Sequence, residues 1–474
     1  MTATTHRPSV IGEATIGELQ ASLRGEVIRP GDAAYDEARA VWNASHDKRP
    51  AMVIRCEGTA DVINAVEFAC SHNLQIAVRG GAHSIAGFST VDDGIVIDLS
   101  NMSAVTVDPV RRRAIAQGGA TWKDFDHETQ QFGLATTGGL VSSTGLGGFT
   151  LGGGIGWLLR KHGLTADNLL AADVVTADGR LVHASADENA DLFWALRGGG
   201  GNFGIAVSLE YALHPVGPTV TGGLLFFPGD AAYDIVTGWR ELTKSMPDEL
   251  TTIVNLTTAP PVPFLPESVH GKPIVVVLGM HCGPLEAGEA AVAPLRTLAT
   301  PIFDHMGPVP YVALQQALDP LFERGAHNYF TSALLGGLPD DAIDELLRQW
   351  AGKTAPQCEL HIHHAGGAMA RVPADATAYA HRDSEYLLNV VARTPDAAGF
   401  EKHVNWARGA RTALAAYGPD TMYVNFTSDA DQDKVRASYP PETYARLVAV
   451  KNEYDPTNLF RLNQNIPPNP LAVS

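Results

Sequence analysis

The chain has 474 residues, enough for about three structural units and a sizeable core. Hydrophobic residues make up 45% and charged residues 18%, which excludes a disordered chain. The 34 basic and 52 acidic side chains give a net charge of −18, which argues against nucleic-acid or anionic-membrane partners.

Taken in order, residues 59–73 place Val62, Ala65, Val66 and Ala69 at helical spacing. Gln75 to Val78 reads as a strand running into Arg79-Gly-Gly-Ala-His-Ser84. Gly94 to Leu99 and Ala104 to Val107 read as short strands, and Trp122 to Gln131 as a helix. Gly138 to Gly156 then holds nine glycines in nineteen positions. Leu170 to Thr176 and Leu181 to Ala184 are strands joined by a turn at Ala177-Asp-Gly179. Ala190 to Leu196 is a helix, Gly198 to Gly201 are four consecutive glycines, and Ile205 to Leu213 alternates as a strand. Beyond Pro215 to Pro218 the strands lengthen (Gly222 to Phe227, Pro273 to Met280), Pro339 to Trp350 is amphipathic, and glycine clumps largely vanish. The tail carries a helix over Pro441 to Tyr454, after which Asp455-Pro456 has the chemistry of a helix N-cap and first-turn proline. These elements favour an α+β fold over a doubly wound sheet. Residues 218–417 read as a domain inserted between an N-terminal part, 1–217, and a C-terminal return, 418–474.

No basic segment followed by an apolar run lies between Met1 and Gly12, and no apolar stretch approaches the roughly 18 residues a membrane span requires. Cys56, Cys70, Cys282 and Cys358 form no CxxC pair and read as reduced thiols. The expected location is the cytoplasm, so the sequons at Asn43, Asn255 and Asn425 read as incidental.

The 47 glycines are about 10% of the chain, against a usual level of about 7%. They follow no collagen-like period and fall into three clumps, at 80–81, 138–156 and 198–204. Clustered backbone N–H groups bind phosphate, so three clumps in one region suggest a single large ligand containing a pyrophosphate. Gly199 to Gly204 satisfies GxGxxG, but a helix precedes it and a strand follows, which is the reverse of the dinucleotide-binding context. No GxxxxGK[ST] or GxSxG is present, and His127-Glu128 lacks the second histidine of a zincin. His83, just past a glycine pair at the end of an apolar strand, could serve as phosphate ligand, base or nucleophile.

The blocks VRGGAHSIAGFS, GGLVSSTGLGGFTLGGGIGWLLRKHGLTADNL, DLFWALRGGGGNFGIAVSLEY and YDPTNLFRLNQNIPP together resemble the berberine-bridge-enzyme-like flavoprotein oxidases. These belong to the vanillyl-alcohol-oxidase superfamily with its PCMH-type flavin domain, and bacterial members acting in secondary metabolism look closest. The resemblance implies FAD held between two subdomains, facing an inserted substrate domain whose antiparallel sheet is flanked by helices. It implies that His83 is bonded to the flavin 8α-methyl. Many relatives add a second bond from a cysteine, but that position here is Val141, so a single linkage is expected. The pyrophosphate would sit on backbone N–H groups of Arg79, Gly80, Gly81, Ala82, His83 and Ser84, with Gly87 nearby, and of Gly145 to Gly148; Arg79 could instead be structural. Gly138, Thr144, Gly204, Ile205 and Val207 would flank the ring and adenine, and Asn463 and Asn465 would reach the flavin; the two asparagines could equally be loop caps.

A flavin oxidation needs a substrate C–H bond over the flavin and a base for the adjacent O–H or N–H proton. The stretch 381–392 resembles the family strand that supplies a catalytic carboxylate or amide, which puts Asn389 there; an amide orients substrate and takes no proton. Tyr423 resembles a tail tyrosine that some relatives use, and it could equally be a core residue. In ELHIHH, strand alternation puts Glu359, His361 and His363 on one side. Glu359 and His363 are acid–base candidates; HxH is metal-like, but no further ligand pattern accompanies it, so no metal is expected. The expected function is an oxidase of a small organic alcohol, amine, sugar or secondary metabolite, with O2 reduced to H2O2. A monooxygenase-type flavoenzyme and an O2-independent dehydrogenase remain alternatives, and sequence leaves the oligomeric state open.

Overall fold

The structure, a computed structural model, describes residues 11–469. Residues 1–10, on which most of the reading of the leader rests, lie outside it.

Eighteen strands carry the framework among the described residues: β1 (Glu26–Ile28), β2 (Met52–Arg55), β3 (Ile76–Arg79), β4 (Ile95–Asp98), β5 (Val105–Asp108), β6 (Arg113–Gln117), β7 (Leu134–Ala135), β8 (Leu169–Val175), β9 (Leu181–Ser185), β10 (Ile205–Ala212), β11 (His214–Pro215), β12 (Thr219–Pro228), β13 (Leu250–Thr258), β14 (Pro273–His281), β15 (Phe303–Pro310), β16 (His327–Leu335), β17 (Cys358–His364) and β18 (Tyr386–Thr394). The first sheet has order β1-β2-β4-β3, with β2, β4 and β3 parallel. The helix Thr59–Ser71 makes the crossover between β2 and β3, burying Val62, Ala65, Val66 and Ala69 as its spacing predicts. The second sheet, β5-β6-β10-β8-β9, is antiparallel throughout. The third holds seven antiparallel strands in the order β15-β12-β14-β13-β17-β18-β16.

Alternation decides what each face of the large sheet does. Leu225, Phe227, Val254, Leu256, Val275, Val277, Leu360, Ile362, Leu388 and Val390 form a core with the helices Ala232–Thr243, Asp340–Ala351 and Phe400–Leu414. The residues between them point to the opposite face, which floors a large cavity.

Element boundaries follow the sequence reading closely, with two physical exceptions. The helix from Trp122 is started by a capping box between Thr121 and Asp124 and ends at Thr129, where a 3-10 turn takes over and Gly133 turns left-handed (φ 62°). Asp455 starts no helix. It closes Pro441–Tyr454, accepting from Leu459 N at 2.7 Å and Phe460 N at 2.8 Å while pairing with Lys451 at 2.6 Å. Both charges are fully buried, and Lys451 also donates to Asn202 O at 2.7 Å, which joins the tail to the third glycine clump.

A second joint lies between the helix Leu159–His162 and the large sheet. Buried Arg160 donates to Leu250 O at 3.0 Å and to His364 Nε2 at 2.9 Å. His364 must accept there, so it is neutral, and burial together with Arg160 pushes it down to about 3. Asn43, Asn255 and Asn425 each donate their side-chain amides to protein acceptors, which leaves the sequons no structural support as glycan sites.

Two outcomes follow from these joints. Lys451→Ala strands a buried carboxylate and is expected to cost about 3–5 kcal/mol in urea unfolding. His364 binds a proton more weakly folded than unfolded, so its contribution is complete above about pH 6.5 and is lost as pH falls toward about 3. Stability measured between pH 6.5 and 4 should fall less steeply in His364→Asn, by up to about 1.4 kcal/mol per pH unit.

Candidate active site

The cavity holds about 1600 Å³, above the roughly 300–1000 Å³ of ordinary ligand pockets, which is room for a dinucleotide and a substrate together. Its upper walls are the glycine clumps. Gly81 and Gly145 pack backbone to backbone: a Cβ on either would lie 2.3 Å from the amide nitrogen of the other. Ala82 adopts φ 58°, curling the chain, and the N–H groups of Gly81, Ala82, His83 and Ser84 donate to no protein acceptor among the described residues. Such a curl of free N–H groups on a cavity wall is an anion nest. The third clump contributes Gly199 to Gly201, Gly204 and Ile205, and Asn463 closes it by donating to Gly201 O at 2.9 Å. Among the described residues no lysine or arginine lines these glycine walls, so a pyrophosphate there would be held by backbone dipoles; a bulky dinucleotide fits the cradle.

His83 stands on this wall. Its Nε2 is 2.8 Å from Ser143 Oγ, and its ring stacks on Trp42 at 5.0 Å. Burial, with a smaller contribution from Arg324, pushes it down to about 4, so the imidazole is neutral at physiological pH. Gly80, Val141, Thr144, Gly145 and Gly148 share the wall. All four cysteines are free, and none lines the cavity.

Five expected cofactor residues are elsewhere. The Arg79 guanidinium turns away to Ala38 O, Arg39 O and Asp98, bracing β3 and β4. Gly87 is spatially required by the His46 ring, and Gly138 by Trp122 and Gln315. Val207 is a core residue of β10, and its carbonyl accepts from Gly118 N. In the tail Gln464, not Asn465, faces the cavity beside Asn463.

The floor brings the substrate candidates together. Glu359, His361 and His363 of β17 and Asn389 of β18 all line it, and Asn389 is the register partner of His361. Glu359 accepts from His361 Nε2 at 2.7 Å, Thr257 Oγ1 at 2.8 Å and Asn255 Nδ2 at 3.1 Å. Burial alone would raise its carboxyl, but His361, Thr257 and Asn255 outweigh that and hold it below the usual carboxylate value. Among the described residues His363 Nε2 and Asn389 Oδ1 are buried without a partner. His363 is pushed down to about 3 by burial and by His361, which makes it a poor proton acceptor. Tyr423 does not reach the wall. Its Oη accepts from Gly154 N and Asn425 Nδ2, each at 2.9 Å, and burial raises the phenol well above its ordinary value, which disfavours a phenolate base.

Sequence reasoning passed over Ser143 and Trp42, which flank His83, and Asn255 and Thr257, which clamp Glu359. The last two had a signal: they are polar residues two apart on a strand whose neighbours are apolar. Among the described residues no group of three or more His, Cys, Asp or Glu could hold a metal ion, and no helix is long and apolar enough to cross a membrane.

Known proteins match this chain over most of its length. Residues 50–185 match the FAD binding domain family, and residues 422–467 match the berberine and berberine-like family. The (R)-6-hydroxynicotine oxidase of Paenarthrobacter nicotinovorans is 33% identical over 462 residues, covering 94% of this chain and 97% of that protein. An FAD-linked oxidoreductase of Dictyostelium discoideum is 31% identical, covering 96% and 97%. Among solved structures, 6-hydroxy-D-nicotine oxidase from Arthrobacter nicotinovorans superposes with a TM-score of 0.85 at 31% identity, over 94% of this chain and 98% of that one. A chitooligosaccharide oxidase superposes at 0.83 with 26% identity, over 97% of this chain and 100% of that one. With FAD-binding and berberine-like segments in place and relatives matched along almost their whole length, the chain belongs to the berberine-like family of FAD-linked oxidoreductases.

Proposed function

We propose that this enzyme is an oxidase that carries FAD on a single bond from His83 and oxidises a small organic alcohol or amine at the Glu359–His361 end of the cavity, with O2 as the final acceptor. The observation that carries the reading is the neutral His83 imidazole on the cavity wall, beside the free N–H groups of Gly81 to Ser84. A neutral imidazole has a lone pair available for a covalent bond, and Ser143 fixes the ring by holding Nε2. The single bond is supported by the absence of a cysteine from the wall, where Val141 stands. Gly81 to Ser84 and Gly145 to Gly148 would hold the pyrophosphate. Bound FAD would supply the two-electron acceptor for the substrate and the centre that O2 reoxidises. Several relatives are named oxidases, of 6-hydroxynicotine and of chitooligosaccharides, which supports O2 as the acceptor.

Proton handling falls to the floor. His361 donates through Nε2 to ionised Glu359, which leaves Nδ1 as the basic nitrogen. In this reading His361 takes the O–H or N–H proton of the substrate, and Glu359 orients the ring and stabilises its cation, held in place by Thr257 and Asn255. Asn389 offers its unpartnered oxygen to the same substrate group, and neutral His363 fills the wall beside it.

Two experiments test this. Acid-precipitated wild-type protein should give a yellow pellet with a mass increase of one FAD, and His83→Ala a colourless pellet; a yellow His83→Ala pellet would overturn the linkage. With an alcohol or amine found by peroxide release, anaerobic flavin bleaching should slow about a hundredfold or more in His361→Asn and less than tenfold in Tyr423→Phe. The reverse ranking would return the proton to the tyrosine.

A further inference from the structure

The cavity floor is divided along β13. On the β17–β18 side it presents Glu359, His361, His363 and Asn389. On the β14, β12 and β15 side it presents Leu224, Phe226, Ile274, Val276, Leu278 and Phe303. Strand β13 is the seam, with Ile253 facing Leu278 and Asn255 facing both Val276 and His361. One register row therefore runs Phe303, Phe226, Val276, Asn255, His361, Asn389 straight across the sheet. From His361 to Phe226 is three inter-strand steps of about 4.8 Å, or about 14 Å.

The apolar end has an aromatic roof. The loop between β13 and β14 is closed at its base by Ala259 N to Lys272 O and Gly271 N to Ala259 O, both 2.9 Å. It carries Phe264 to within 5.1 Å of the Phe303 ring and 5.8 Å of the Phe226 ring. Phe264 remains 50% exposed; the three rings, 5.1 to 6.1 Å apart, pack on one another, and the slot is the open space over their shared cavity face. Two histidines border this end. His270 Nε2 is bonded to Leu265 O at 3.0 Å, and His305 stacks on Phe303 at 6.0 Å. A sugar lying over these rings would find few protein partners beyond the two histidines to replace the water around its hydroxyls.

We propose that the substrate is an elongated, mainly apolar molecule whose aromatic end enters the slot of Phe226, Phe264 and Phe303 while its oxidisable hydroxyl or amine reaches Glu359 and His361. The span is that of two linked rings, and the apolar lining at its far end favours an aromatic ring over a sugar there. The assignment of the reacting end rests on the oxidase reading; the slot itself is a binding site independent of it.

The test uses purified holoenzyme and three probes: 4-biphenylmethanol, benzyl alcohol and xylobiose. Binding is read as perturbation of the flavin spectrum under anaerobic conditions, and turnover as O2 consumption. Biphenylmethanol should bind at least tenfold more tightly than benzyl alcohol, and xylobiose more weakly than either. Phe264→Ala changes a half-exposed loop residue, and Phe303→Ala serves as a second variant. Each should abolish the biphenyl advantage, bringing biphenylmethanol to within about twofold of benzyl alcohol in the same variant. Equal affinity for the two alcohols, a preference for xylobiose, or an unaltered ranking in both variants would overturn the slot. The expected binding order without O2 consumption would uphold the slot and count against the oxidase reading; O2 consumption with xylobiose alone would uphold the oxidase and reject the slot.

Discussion

The contact between Gly81 and Gly145 is the constraint on which the site depends. Two loops more than sixty residues apart in sequence meet with no side chain between them, and neither position has room for a methyl group. Because they meet so closely, the free N–H groups of one loop and the Leu140–Gly148 stretch of the other become adjoining walls of one cavity. The same approach brings Ser143 to His83. The second loop is also tied to the far part of the chain, since Ser142 N and Oγ both donate to Asp319, at 2.8 and 2.5 Å. The glycine walls and the large sheet are thus joined by hydrogen bonds as well as by an apolar cluster in which Leu140, Trp157 and Leu158 pack with Phe226, Ile253 and Leu278.

The large sheet meets two different demands with one alternation. Its helix-covered face is mainly apolar, broken by Thr252, which accepts from Trp239 Nε1 at 2.9 Å, and by His364, which accepts from Arg160. Its cavity face is graded from aromatic to ionic. The clamp on Glu359 illustrates the cost: a carboxylate in this position needs three donors to stay ionised, and they come from β13 and from its own strand. His361 is therefore fixed by the sheet ladder as well as by its partner, a firmer support than a loop could offer.

Much of this was legible in the sequence, and the reasons differ by residue. The glycine clumps were readable because a requirement for no side chain leaves only one residue type. Period-two alternation put Glu359, His361 and His363 on one face before any coordinates, since strand geometry admits no other arrangement. Arg79 was open between a phosphate contact and a structural role because backbone position and side-chain direction are separate facts: its strand leads to the nest, yet its guanidinium points to Asp98. Tyr423 was open between a functional and a core role for the same reason, since motif likeness says nothing about the donors its hydroxyl meets at Gly154 and Asn425. Asp455 carries the chemistry of a cap and does cap, but a turn and a lysine in place of a helix. Pairings such as Ser143 with His83 join residues sixty apart, and no local pattern encodes them.

The tail joint has a consequence for the order in which the enzyme can be made. The third glycine wall is finished by Lys451 on Asn202 and by Asn463 on Gly201, residues separated by about 250 positions of intervening chain. The third glycine wall is therefore complete only once the segment from Lys451 to Asn463 has been made, and removing that segment would take part of this wall while leaving Glu359, His361, His363 and Asn389 on the floor.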